Sequence, residues 1–108
     1  MKIAITSMGD SVGSLISEKF GRVPYFIIYD TETQKSYSIK NDADKLEHGA
    51  GPNAVKKIMD EGCDVLLTGN LGGNALSAIK ESGIKYFTQI SPNKKVKEVI
   101  EEYLSMVH

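Results

Sequence analysis

His48, Cys63 and two glycine-rich turns are the residues whose types and spacing could do chemistry in this sequence. His48 stands directly before Gly49-Ala50-Gly51-Pro52, and the other histidine, His108, is the last residue. A neutral imidazole in a glycine-rich loop can ligate a soft or borderline metal; an exposed loop histidine is the plainer reading of the spacing alone. Gly69-Asn70-Leu71-Gly72-Gly73-Asn74 follows an apolar run and precedes a helical pattern. Such a turn can present backbone amides to an anion. It lacks the Lys-Ser/Thr of a Walker loop and the G-x-G-x-x-G dinucleotide spacing, so a tight strand-to-helix turn is the competing reading. Cys63 is the only cysteine, which excludes an intrachain disulfide framework and a Cys-only metal site. Its simplest role is a small buried hydrophobe.

Catalytic patterns are absent. There is no Cys–His pairing, Ser-His-Asp set or H-E-x-x-H. Asp10, Asp42 and Asp44 could form a carboxylate site on neighbouring loops. Two-metal nucleotide chemistry needs its carboxylates grouped, and the first strand carries no acidic cluster. Phe20, Tyr25 and Phe26 suit packing better than a stacking platform.

The elements that must position these residues follow from periodicity. Residues 2–6 are short, apolar and β-branched, so they read as a central strand. Residues 7–23 are long for a loop and contain Gly9, Gly13 and Gly21; such segments carry function or a short helix. Residues 25–29 and the strictly alternating 36–40 form an antiparallel hairpin whose second strand is half wet or at an edge. Pro52 suits the first residue of a helix, with Ala54, Val55, Ile58 and Met59 on one face and Gly62 as its stop. Residues 64–68 read as a buried parallel strand. A second helix uses Ala75, Leu76, Ala78 and Ile79 and closes at Gly83, before a strand over 84–87. Ser91-Pro92-Asn93 signals a third helix, carrying Val96, Val99, Ile100, Tyr103, Leu104 and Val107.

Helices joining parallel strands imply right-handed crossovers. The expected architecture is α/β, a mixed five-stranded sheet of order 3-2-1-4-5 with the second strand antiparallel and three main helices. Segments 7–23, 41–51, 69–73 and 88–93 then converge at one sheet edge, where open α/β sheets bind ligands. Two helix N-termini, near Pro52 and Gly73, point there and suit anions. Cys63 falls at the opposite edge, out of reach of His48.

Composition bounds the partners. The chain has 108 residues and a net charge of −1, which suits one domain, residues 1–108. Surface scaling buries about 65% of the unfolded surface, enough for one modest core. The basic residues are scattered, with Lys56-Lys57 and Lys94-Lys95 the adjacent pairs. No basic field favours nucleic acid. No apolar run reaches the ~20 residues of a membrane span, and residues 1–8 are too short an apolar stretch for a signal peptide. The expectation is a cytoplasmic protein, without nucleic-acid or membrane partners.

Three segments together carry a resemblance: Phe20-Gly21-Arg22-Val23-Pro24-Tyr25-Phe26, Gly49-Ala50-Gly51-Pro52, and Gly62-Cys63-Asp64-Val65-Leu66-Leu67-Thr68-Gly69. With Met1-Lys2-Ile3-Ala4-Ile5 and Ser82-Gly83-Ile84-Lys85, the chain resembles the dinitrogenase iron-molybdenum cofactor biosynthesis family from residue 1 to about 104. The F-G-R-x-P-Y-F segment and its distance to G-A-G are the specific parts. The resemblance implies a ribonuclease H-like three-layer fold. It also implies a non-enzymatic carrier or chaperone of an iron–sulfur or iron-molybdenum-type cluster, held as transient cargo.

In cluster-binding members of that family a histidine often precedes the Phe-Gly pair; here Lys19 stands there. The implied site combines amides of Gly49, Gly51, Gly69, Asn70, Gly72 and Gly73 with the charges of Lys19 and Arg22 and a metal ligand in His48. A metallocluster donor or acceptor protein is the implied partner, and the chain is expected to be a monomer or weak homo-oligomer. The alternative is a regulatory or interaction domain of the same fold that has lost cluster binding, a reading that Lys19 favours.

Overall fold

β1 (Lys2–Ser7) is buried from Ile3 to Ser7. Ile3 and Ile5 pack on one side of the sheet and Ala4 on the other. A strand covered on both faces has no use for polar alternation. β2 (Tyr25–Asp30) runs antiparallel to it, with Ile27 opposite Ile5 and Tyr25 opposite Ser7. β3 (Lys35–Lys40) completes the hairpin, with Ile39 opposite Phe26. It is largely exposed, and a lysine at each end guards this open edge. β4 (Val65–Leu67) pairs parallel with β1 and β5 (Lys85–Phe87) parallel with β4. The sheet has five strands in the order β3-β2-β1-β4-β5, as the sequence predicts. The computed structural model describes residues 1–42, 46, 48–88, 90, 91 and 93–107.

α1 (Ala50–Asp60) and α2 (Gly73–Ser82) cover one face of the sheet. Ala54, Val55, Ile58, Ala75 and Ile79 meet Ala4, Phe26, Ile28 and Leu66 there. α3 (Val96–Met106) covers the other face, packing Val96, Val99, Ile100 and Tyr103 on Ile3, Ile5, Ile27, Val65 and Leu67. The result is the three-layer, ribonuclease H-like α/β arrangement.

The structure corrects two expectations and narrows a third, that the long segment after β1 carries either function or a short helix. α1 begins at Ala50, ahead of Pro52, because Gly49 takes a left-handed φ of 77°, a conformation glycine adopts without steric cost. Pro52 still falls in the first turn, whose amides have no intrahelical partner. Residues 8–24 form no helix. They fold back as a ribbon, with β-bridges Ser7–Ile16 and Leu15–Lys95 and the Met8 amide donating to the Leu15 carbonyl at 2.9 Å. The parallel strands are shorter than the apolar runs. The flanking amides nevertheless stay paired: Asp64 donates to the Lys2 carbonyl at 2.8 Å and Thr68 to the Phe87 carbonyl at 3.0 Å.

Because β1, β3, β4 and β5 share a direction, the segments following them and the one leading into β2 meet at one edge. That convergence places the candidate site.

Candidate functional site

All three helices start at this edge, and their first turns differ. At α3, the Val96 amide donates to the Ser14 carbonyl and the Lys97 amide to the Val12 carbonyl, each at 2.9 Å. The Lys95 amide donates to Glu98 Oε1 at 3.0 Å. The returning ribbon therefore consumes the anion-binding capacity of α3. α1 and α2 are capped by Gly49 and Gly72, and neither receives a side-chain cap.

The first turns of α1 and α2 open on a shared cleft of about 340 Å³. Lys19 and Arg22 line one wall, Ala50 and Gly51 another, and Asn70, Gly72, Gly73 and Asn74 a third. Among the described residues no acidic side chain lines it. Two cations beside the positive ends of two helices make a local environment for an anion.

The Lys19–Arg22 wall is built from the core outward. Phe20 and Val23 are buried at 2% and 1% exposure, and the Phe20 ring lies 5.4 Å from that of Phe26. These anchors leave Lys19 and Arg22 exposed. Below them, Thr6 Oγ1 donates to the Ser17 carbonyl at 2.8 Å and lies 3.1 Å from Thr68 Oγ1. The Ser17 hydroxyl accepts from the Lys19 amide at 3.2 Å. Asn41, 1% exposed, donates from Nδ2 to the carbonyls of Gly21 at 3.0 Å and Val23 at 2.8 Å. Thr6, Ser17, Asn41 and Thr68 were not legible as site residues, because their partners are main-chain atoms or, between Thr6 and Thr68, a hydroxyl 62 positions away in sequence. Asn74, the last residue of the glycine-rich turn singled out in the sequence, lines the cleft too.

The glycines divide by what surrounds them. A Cβ on Gly69 would lie 2.7 Å from the Glu18 Cα, so this glycine lets the 17–19 segment cross the end of β4. It does not line the cleft, and neither does Gly49, which shapes the start of α1. Gly51 does line it, and also touches α2, where a Cβ would meet that of Ala75 at 2.9 Å. Gly72 and Gly73 differ from both, because a Cβ on either would have nothing within 4 Å. Gly72 has an ordinary φ of −68°. Neither packing nor Gly72's backbone geometry requires a missing side chain there.

The cleft thus brings together Lys19, Arg22, Gly51, Asn70, Gly72 and Gly73. His48 is exposed and precedes Gly49, outside the cleft lining. Cys63 is buried beyond the other end of the sheet, its amide donating to the Ile58 carbonyl at 3.1 Å. Burial, helped by the Glu61 charge, pushes its thiol up to about 12, so it offers no thiolate near neutrality. Asp42 pairs with Lys57 at 3.4 Å, while Asp44 and His108 lie outside the described residues. Among the described residues no group of three or more His, Cys, Asp or Glu side chains is placed to hold a metal ion.

The model of the dinitrogenase iron-molybdenum cofactor family matches residues 1–106. The chain belongs to that family. It is similar to the apo form of the orange protein from Desulfovibrio gigas, at 31% identity and a TM-score of 0.93, over 97% of this chain and 88% of that one. It is also similar to a protein from Thermotoga assigned as NifB and to the DUF35 family, at 33% identity and a TM-score of 0.83, over 96% and 87% of the two chains. No curated protein matches significantly. Family membership makes this a small metallocluster-related protein. Among the described residues no helix is long and apolar enough to cross a membrane. Lys19, at the position where the resemblance leads one to look for histidine, lines the cleft, so this wall offers an ammonium charge instead of a ligand.

Proposed function

We propose that the chain is a non-enzymatic carrier of an anionic iron–sulfur or iron-molybdenum-type cluster, seated as transient cargo between the starts of α1 and α2. The observation that carries this reading is the pair Gly72 and Gly73: they line a cleft with no acidic side chain among its described residues, and nothing in the packing around them excludes a side chain. Absent side chains at a helix start allow a ligand to reach the amides. Arg22 and Lys19 supply charge, Gly51 and Asn70 supply polar backbone at the rim, and Gly49 and Gly69 hold the two walls in place. His48 adds an imidazole donor from the α1 side. So few ligands suit cargo that must leave again, toward a donor or acceptor protein in the cytoplasm, with the carrier itself a monomer or weak homo-oligomer.

A second reading, a regulatory or interaction domain without cluster binding, rests on Lys19 in place of histidine. Anaerobic titration with a preassembled, thiolate-ligated iron–sulfur cluster separates the two. The carrier should retain the visible chromophore through gel filtration, and Arg22→Ala should retain much less. A colourless, folded protein would establish the second reading.

A further inference from the structure

We infer that Asn41 is the positioning residue of the cleft, holding Arg22 in register with the two helix ends through a carboxamide that does not line the cleft. The inference rests on the anion-carrier reading and goes beyond it, to how the charged wall is made.

Asn41 follows the last residue of edge strand β3, yet three of its hydrogen bonds run to the segment carrying Arg22. Nδ2 donates to the Gly21 carbonyl at 3.0 Å and the Val23 carbonyl at 2.8 Å. Its backbone amide donates to the Pro24 carbonyl at 3.0 Å. Two carbonyl acceptors on one side-chain atom fix the amide orientation, since only the NH₂ end can donate twice. The Phe20 carbonyl is taken as well, by the Val23 amide at 3.3 Å. The Gly21 and Val23 carbonyls that flank Arg22 are thereby both tied to the residue that follows β3.

Two consequences follow. Electrostatically, carbonyl oxygens that would repel an anion are engaged elsewhere, while the guanidinium remains on the wall. Sterically, Gly21 is held flat against α1, where a Cβ on it would stand 3.1 Å from the Gly51 Cα. Gly51 in turn abuts Ala75, so Asn41 sets the first layer of a stack that reaches α2. At 1% exposure, losing this donor pair would strand two carbonyls, and unmet buried acceptors drive local rearrangement.

The test is a double-mutant cycle, with the preassembled thiolate-ligated iron–sulfur cluster as probe. Arg22→Ala and Asn41→Ala should each weaken binding roughly tenfold, the scale of one charge-assisted hydrogen bond. Together they should weaken it little further, since one acts through the other. Asn41→Ala should also flatten the salt dependence as Arg22→Ala does, although it replaces neutral with neutral; loss of stability alone would not do this. If Asn41→Ala fails to fold, Asn41→Ser, which keeps one donor, enters the same cycle. Parent-like affinity in the Asn41 variant, or losses that simply add, would overturn the positioning role while leaving the Arg22 site standing. A parent that retains no cluster removes the site reading and this inference together.

Discussion

Gly51 in the first turn of α1 faces Ala75 in the first turn of α2 so closely that a methyl group on Gly51 would lie 2.9 Å from the Ala75 Cβ. The contact sets the width of the cleft floor. Helix propensity alone would favour Gly51→Ala by about 1 kcal/mol. Overpacking against a buried neighbour costs about 1–3 kcal/mol, so the variant should be less stable in urea unfolding. Ala75→Gly should recover most of the loss in the double variant. An unchanged or raised midpoint in Gly51→Ala would show that the helices separate freely.

Gly72 and Gly73 should behave in the opposite way. A Cβ on either meets nothing within 4 Å. Replacing glycine where the backbone is compatible stabilises by about 0.4–1 kcal/mol. Gly72→Ala and Gly73→Ala should therefore melt at or above the parent temperature. Both should bind the iron–sulfur cluster several-fold more weakly, because a methyl group then separates cargo from amides. Parent-like affinity in both would remove the amides from the site.

The fold was legible because its signals are local and redundant. An uncharged run such as Val65-Leu66-Leu67 admits a buried parallel strand, and the helices between strands fix their direction. The edge where the loops meet followed from topology alone. The composition of the cleft was less legible. Gly69 and Gly73 look alike in a glycine-rich turn; only the position of Glu18, far away in sequence, shows that one is packed and the other open. The start of α1 was misplaced because Pro52 signals a first turn without saying which of its residues it occupies. Likewise, Asn41 reads as an ordinary loop residue until the Arg22 segment is folded against it.

Cys63 tests the placement of the site through pH. Burial raises its thiol to about 12, above the ~8.5 of a free cysteine. The folded state then keeps a proton that the unfolded chain gives up. The stability this contributes is present below the unfolded value and is lost as pH rises from about 8.5 toward about 12. Tyr37 and Lys2 are also shifted upward, so the readout is the difference between parent and Cys63→Ser. That difference should shrink with rising pH across this window. At neutral pH, Cys63→Ser should bind the cluster as the parent does. Loss of the chromophore in a folded Cys63→Ser protein would place a ligand at the wrong end of the sheet.

His48 gives the sharpest division between coordination and charge. It is exposed directly before the α1 cap and outside the cleft lining, so as a ligand it must reach cargo from the rim. Ligation needs a neutral imidazole, and acidification should weaken cluster binding several-fold if His48 contributes. Asp10, Glu18 and Asp42 stand at the same edge, so every variant must be compared with the parent at the same pH. His48→Ala should lose affinity at neutral pH and most of the acid sensitivity with it. Arg22→Ala should instead keep the acid sensitivity and lose salt sensitivity, because its contribution is Coulombic and screened by ions. If His48→Ala follows the parent at every pH, the imidazole has no part in binding. The cargo would then rest on the starts of α1 and α2, which carry no side-chain cap, with Lys19 and Arg22, an arrangement that recognises negative charge without ligating the metal.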